Sequence, residues 1–416
     1  MKKKPSTGDY DIPPPVTQAT RHAIYPAMDH DECARLNFVA ACNRVITSTL
    51  TPGNEIAYRT QVLPEFFEEH GREPENRHEV RRAMNNNTFH RLWSATRRNL
   101  MEIRQQTGAA IVLRQVDELA ERTREIAQDD QNLQMDPTLT IPRYVADVDH
   151  HCMPGSYHRE LVDGDVSPAA NYDLGFYVTT GGTVGPLNDE AGKAVASWVK
   201  STDRYRRQAF RPRRILDIGV GVGHTILPVA QAFPEAEVVA IDVSAPMLRY
   251  AHARAKSLRV DNIQFEQMSG EDLSAFEDES FDWVQTSVFL HELSARSFPR
   301  ILSECWRVLR PGGLTLHLEQ PQYDRDMPVL EQCLRDWDAY NNNEPFWTKL
   351  HGFDIDAELV KTGFEKGDLF HAQLSNAQLA PTKTGDKQAG QDFGREPVWH
   401  AYGGWRKTTE VSSEQR

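Results

Sequence analysis

The chain has 416 residues, 39% of them hydrophobic, a formal charge of −13 at pH 7 and a pI near 5.6. That length holds two or three domains and a sizeable core. The acidic balance repels phosphate backbones and anionic membranes, which argues against nucleic acid as a partner, and the five cysteines without a CxxC pair argue against a disulfide framework or a zinc ribbon.

Residues 1–28, rich in Pro, Lys and Thr, predict a flexible arm. The opening "MKKKPSTGDYDIPPP" has a basic head but no apolar region behind it, so a secretory signal is not expected. No run of 18 apolar residues predicts a membrane span. The expected setting is cytoplasmic. Residues 29–135 predict a helical domain, opened by aspartates placed to cap "MDHDECARLNFVAACNRVI". In "AAIVLRQVDELAERTREIAQ", Val112, Val116, Leu119, Thr123 and Ile126 recur at helical spacing, which predicts one helix packed on a bundle. Eleven arginines and eight acids lie between Gly71 and Gln128. They read as a solvated helix surface, with a basic docking face as the rival.

Residues 136–186 lack periodicity and are rich in Pro, Gly, His and Tyr, as expected of a lid or connecting segment. Within it, "DHHCMPGSYHRE" sets Asp149, His150, His151, Cys152 and His158 close together. Pro154 and Gly155 interrupt the run and no second ligand group is evident, so no metal is expected and a lid facing substrate or cofactor is preferred. His151, Tyr157 and His158 are its candidate site residues.

From residue 187 the pattern changes to alternating helices and strands. Strands are expected at 213–219, 237–242, 263–269, 281–288 and 313–320, which gives βαβ units and a mostly parallel sheet. Ligands of such sheets sit at the carboxyl ends of the strands. There "ILDIGVGVGHT" places Gly219, Gly221 and Gly223 after the first strand, with His224 where a dinucleotide fingerprint needs its third glycine. Asp217 lies two residues before Gly219, and Asp242 ends the second strand, where a carboxylate can take ribose hydroxyls. This spacing disfavours pyrophosphate. It suits a nucleoside with a cationic amino-acid end, for which the glycines let the backbone approach closely and Asp217 faces the ammonium.

"ILDIGVGVG", "VVAIDVSAPMLRYAHARA", "QMSGEDLSAFEDESFDWVQTSVFLHEL" and "LSECWRVLRPGGLTLHLEQP" together resemble, in order, the motifs of class I S-adenosylmethionine-dependent methyltransferases. The resemblance covers about 187–407. It implies an α/β fold: a Rossmann-like, seven-stranded, mostly parallel sheet in a domain spanning 187–410, closed by an antiparallel hairpin (366–375 and 396–407) and preceded by the N-terminal helical domain. It implies S-adenosylmethionine as cofactor, touched by Asp217, Gly219, Gly221, Gly223, Asp242, Val243, Met247, Gly270 and Thr286. Ser269 or Glu271 stands where the family often reads adenine with an aspartate. Tyr172 or Tyr177 is expected over the methionine end, where an aromatic face stabilises a cation.

The implied activity is in-line methyl transfer to the O, S or carboxyl group of a small molecule. An amine or hydroxyl acceptor needs a base, for which His291, Glu319 and Tyr157 are the candidates. His151, His158, Tyr172 and Trp347 are candidates for binding the acceptor. The helical region and the His/Tyr loop are expected to cover the site or to form a homodimer contact. The rival functions are a protein or RNA methyltransferase docking through the arginine-rich helices, and a nicotinamide-dependent oxidoreductase.

Overall fold

The computed structural model describes residues 15–19, 22–128, 131–182, 184–201, 210–323, 327–375 and 398–408. Most of the expected arm (1–14, 20 and 21), the polar loop 376–395 and the tail 411–416 lie outside the described residues.

Eight strands form one sheet: β1 (Leu133–Gln134), β2 (Arg214–Ile218), β3 (Glu237–Asp242), β4 (Ile263–Gln267), β5 (Phe281–Ser287), β6 (Leu309–Glu319), β7 (Leu369–Ser375) and β8 (Val398–Trp405). Their order is β1-β4-β3-β2-β5-β6-β8-β7. The strands β1 to β6 pair in parallel, and β8 runs antiparallel to both β6 and β7. The expected parallel sheet and closing hairpin are both present. The eighth strand is a correction: β1 comes from the region before the alternating half and pairs with the edge of β4. Two residues carry no readable periodicity, yet they cover β4's unpaired backbone groups, with Phe265 N–H donating to Asn132 O at 2.8 Å.

Helices cover both faces of the sheet, so its central strands read as apolar runs rather than alternating ones. Ile215, Leu216, Asp217 and Ile218 are all buried. One face packs Val195, Val199, Leu227 and Leu248 on Val238 and Trp283. The other packs Phe298, Ile301, Leu302 and Leu359 on Leu216, Val239 and Val284. Each such side chain fully buried contributes about 1.5–3 kcal/mol.

The helices before the sheet begin at His30–Val45, whose N-terminus is closed by a reciprocal capping box: Glu32 N–H donates to Asp29 Oδ1 and Asp29 N–H to Glu32 Oε2, each at 2.8 Å. The long helix expected over residues 109–128 is instead two, Thr88–Leu113 and Val116–Ala127. The break falls at buried Gln115, whose amide bonds both backbone groups of Ala27 at 2.9 Å. That tertiary clasp overrides local periodicity and fixes part of the expected arm, where Val16, Ile24 and Tyr25 are buried. Ser167–Thr180 is a further helix inside the stretch expected to be irregular. It is buried on several sides and therefore lacks an amphipathic signature. Of the eleven arginines between Gly71 and Gln128, Arg72, Arg77, Arg97, Arg98, Arg114, Arg122 and Arg124 pair with carboxylates of the same chain. None of the five cysteines forms a disulfide. Among the described residues no helix is long and apolar enough to cross a membrane.

Candidate active site

The sheet order reverses at β2, with β3 on one side and β5 on the other, and a crevice opens there at the strands' carboxyl ends. The loop after β2 uses left-handed backbone at Gly219, Gly221 and Gly223, with φ of 78°, 52° and 80°. A Cβ on Gly219 would lie 2.3 Å from the Phe289 ring, whereas one on Gly221 would meet nothing within 4 Å. The open space beside Gly221 belongs to the crevice. Asp242 fixes the loop from the tip of β3: its carboxylate accepts from Gly221 N–H and Ser244 N–H, each at 2.9 Å.

The charge of the crevice decides what it can hold. Asp217, Asp242 and Glu292 line it, and no lysine or arginine is among its described lining residues. Burial pushes the Asp217 carboxyl up to about 7, against a 2.8 Å hydrogen bond from Gln285. Burial likewise raises Asp242 to about 6, opposed by the N–H groups of Ser244 and Gly221. Such a cleft repels a pyrophosphate and attracts a cation. Val243, Met247, Tyr157, Tyr172 and Phe176 supply its apolar and aromatic walls. A sulfonium nucleoside with a cationic amino group fits this lining, and a dinucleotide does not.

A second cavity lies on the helical side, between Thr88–Leu113, Ser167–Thr180 and the end of β5. It shares Tyr172, Phe176, Val288 and Glu292 with the crevice, so the two spaces meet at these four side chains. Polar groups in its wall include Asn43, Gln105, Asn171 and Arg104. Arg104 donates to the Thr179 hydroxyl, and its Nε is buried without a hydrogen-bond partner.

Between the cavities sits a buried cluster drawn from three distant segments. His150 and His151 come from the lid segment, His291 and Glu292 from the turn after β5, and Glu344 from the segment between β6 and β7. Tyr157 donates its hydroxyl to Glu292 Oε1 at 2.5 Å, and His151 Nδ1 lies 2.7 Å from Glu344 Oε1. His291 Nδ1 lies 2.7 Å from Glu319 Oε1. Left-handed non-glycine residues gather here: His151, Cys152, Val288 and Asn343, with φ between 51° and 57°. For β-branched Val288 this backbone is a true outlier, and such strain concentrates at functional sites.

Of the expected cofactor residues, Asp217, Gly219, Gly221, Asp242, Val243 and Met247 line the crevice, and Gly223 closes its loop. Ser269, Gly270 and Glu271 do not line it: Glu271 pairs with Arg300, and a Cβ on Gly270 would lie 2.5 Å from Ile218. Thr286 is a correction. The strand pleat turns it away from the crevice, its hydroxyl sits 2.8 Å from His317 Nδ1, and Ser287 takes the crevice side. Tyr177 is another. Tyr172 and Phe176, four residues apart, share the helix face over the crevice, while Tyr177 turns toward the helical layer and Pro15 O.

The expected bases also change. His291 is not a neutral imidazole awaiting a proton: burial alone would lower it, but Glu319, Glu292 and Glu344 raise it to about 9. Glu319 is fully engaged, accepting from the N–H groups of Leu290, His291 and Gln320 besides the His291 ring. Tyr157 does reach the crevice, with burial and Glu292 holding its phenol well above the usual range. His151 and Tyr172 line the second cavity, whereas His158 lines neither space. Trp347 is buried behind the His291 ring, with centroids 4.6 Å apart, and lines neither space. Sequence reasoning missed Phe176 and Glu344. The four-residue step from Tyr172 could have found the first; nothing in "NNNEPFW" pointed to the second.

Residues 215–313 match the family model of a methyltransferase domain. Trans-aconitate 2-methyltransferase of Deinococcus radiodurans is 37% identical over 111 residues, 26% of this chain and 39% of the relative. Demethylmenaquinone methyltransferase of Symbiobacterium thermophilum is 35% identical over 167 residues, 39% of this chain and 59% of the relative. Malonyl-[acyl-carrier protein] O-methyltransferase of Methylococcus capsulatus is 30% identical over 190 residues, 44% of this chain and 61% of the relative. The chain thus spans less than two thirds of the length of each. Sheet order, glycine loop and family match agree: the chain has the class I, Rossmann-like fold of S-adenosylmethionine-dependent methyltransferases, with S-adenosylmethionine as the cofactor that fold takes, behind additional N-terminal helices.

Proposed function

We propose that the chain transfers the methyl group of S-adenosylmethionine to a heteroatom of a small molecule held in the second cavity. The observation that carries this reading is the shared wall: Tyr172, Phe176, Val288 and Glu292 border both the acidic crevice and the second cavity beside it. When bound, the cofactor supplies an electrophilic methyl on a sulfonium, and the carbon–sulfur electron pair stays on sulfur. The chain's own residues position and desolvate. Asp242 takes the ribose hydroxyls, Asp217 faces the ammonium, and Gly219, Gly221 and Gly223 let the backbone close on the ligand. Tyr172 and Phe176 cover the cation and keep water out. Residues 187–410 hold the cofactor, and the helices before them roof the acceptor.

The relatives named above act, by their names, on trans-aconitate, demethylmenaquinone and malonyl-[acyl-carrier protein], which supports a small or carrier-bound metabolite as the acceptor. The pairing of most N-terminal arginines with acids of the same chain does not favour a docking face for RNA. The test is production of S-adenosylhomocysteine by the full chain with cell extract split by molecular mass. Turnover with the small-molecule fraction is expected. Turnover confined to the macromolecular fraction contradicts the reading.

A further inference from the structure

The cluster between the two cavities has the architecture of a metal centre. His150 Nδ1 lies 3.7 Å from Glu292 Oε2 and 3.7 Å from Glu344 Oε2, and one ligand atom from each of the three residues lies within 4.8 Å of the others. These separations are too long for hydrogen bonds. They match two atoms that each sit about 2.1 Å from a common ion, which lie roughly 3–4 Å apart. His150 and Glu344 are fully buried, and both His150 Nδ1 and Glu344 Oε2 lack a hydrogen-bond partner. So does buried His291 Nε2, 3.9 Å from Glu292 Oε1. Two unpartnered ligand atoms facing each other at 3.7 Å are unusual in a native interior, where buried polar groups are satisfied.

The surroundings point each of these atoms inward. His150 Nε2–H donates to Tyr144 O at 2.9 Å, which leaves the Nδ1 lone pair facing the cluster. His291 stands beside the group, its Nδ1 held 2.7 Å from Glu319 Oε1. Glu292 spends Oε1 on the Tyr157 hydroxyl, and Glu344 spends Oε1 on the backbone N–H and ring of His151, so in each carboxylate Oε2 remains. Ligating histidines and carboxylates are oriented by outer hydrogen bonds of this kind. The paired left-handed turns at His151 and Cys152, and the one at Asn343, bring these side chains together despite their strain.

We propose that His150 Nδ1, Glu292 Oε2 and Glu344 Oε2 bind a divalent first-row transition metal. Imidazole and carboxylate donors suit manganese, iron or zinc. Of the three ligands Glu292 also lines the second cavity, next to His151 and His291, so the ion's open position is assigned to that side. That position takes an ionisable heteroatom of the acceptor, a hydroxyl, thiol or carboxylate, and holds it beside the cofactor crevice. The metal site stands on the cluster alone; its use for the acceptor rests on the methyl-transfer reading.

The test titrates Co2+ into the EDTA-stripped full-length chain and follows its visible d–d absorption, with calorimetry of S-adenosylmethionine binding on the same sample. One Co2+ per chain is expected, displaced by Zn2+. Glu344→Gln and Glu292→Gln should each weaken Co2+ affinity by about tenfold or more at unchanged circular dichroism. Absence of stoichiometric Co2+ binding by the wild-type chain overturns the proposal, as does undiminished affinity in both variants. Wild-type stoichiometry decides by itself if a variant fails to fold. Cofactor binding without Co2+ binding rejects the metal centre and leaves the methyl-transfer reading standing; Co2+ binding without cofactor binding does the reverse.

Discussion

Asp173 Oδ1 lies 2.7 Å from His224 Nε2, joining the helix Ser167–Thr180 to the glycine loop of the sheet. The same carboxylate receives His22 Nε2 and the Tyr250 hydroxyl, each at 2.9 Å. Burial alone would raise Asp173, but Arg254, His224 and His22 hold it well below the usual carboxylate range. One buried group thus ties the N-terminal segment, the helical roof and the loop that grips the cofactor. Asp173→Ala leaves the buried Arg254 guanidinium without its neighbouring carboxylate, and His22, His224 and Tyr250 without their acceptor, and should destabilise the chain by roughly 3–5 kcal/mol. It should also weaken cofactor binding. Chemical denaturation and calorimetry check both; a variant as stable as the parent contradicts this role.

The glycine loop separates steric from ligand effects. Gly221→Val introduces a β-branched residue at φ 52° beside open space, so it should cost about 1–2 kcal/mol of stability yet abolish measurable cofactor binding. Gly219→Val meets the Phe289 ring and should destabilise far more. Thermal melts with and without S-adenosylmethionine read the difference. A Gly221→Val chain that still gains stability from the cofactor speaks against the loop's assigned task.

Asp217 predicts a pH dependence of cofactor binding. Its folded value of about 7 means it is partly protonated at neutral pH without ligand. A bound ammonium favours the ionised form, so binding releases a proton below pH 7. Affinity should rise from pH 6 to pH 7.5 and then level off, and calorimetry in buffers of different ionisation enthalpy should detect the proton. In Asp217→Asn the slope should flatten above pH 7, leaving only the titration of Asp242 near 6. A pH-independent affinity in the parent removes Asp217 from the cationic end.

His317 predicts an acid-side effect on stability. Burial lowers its ring to about 3, so it stays neutral in the fold while the unfolded chain takes up a proton below about 6.5. The contribution is complete above that unfolded value and is lost as pH falls from there toward the folded value. Denaturation of His317→Gln should therefore show a shallower loss on acidification between pH 6.5 and 5, by roughly 1.4 kcal/mol per pH unit. Identical slopes in parent and variant contradict a buried neutral ring.

The sheet was legible because parallel strands buried on both faces leave dense apolar runs, and because βαβ spacing repeats. Asp217, the glycines and Asp242 were legible for the same reason: they sit at fixed offsets from those strands. The roof was not. Ser167–Thr180 is buried on several sides and shows no stripe, and Gln115 breaks a periodic helix through a contact with Ala27, far away in sequence. The cluster around His150 was half visible. Its histidines stood out, but Glu292 and Glu344 reach them only through chain separations of over 100 residues that no local pattern encodes.

The central claim is that the acidic crevice at the end of β2 holds S-adenosylmethionine through Asp242. Calorimetric titration of the full chain with S-adenosylmethionine, and separately with NADH, tests it most directly. One equivalent of S-adenosylmethionine should bind, NADH should not, and Asp242→Ala should lose about ten- to hundredfold in affinity with its charged hydrogen bonds. Binding of NADH in preference, or an Asp242→Ala chain with unchanged affinity, contradicts the account.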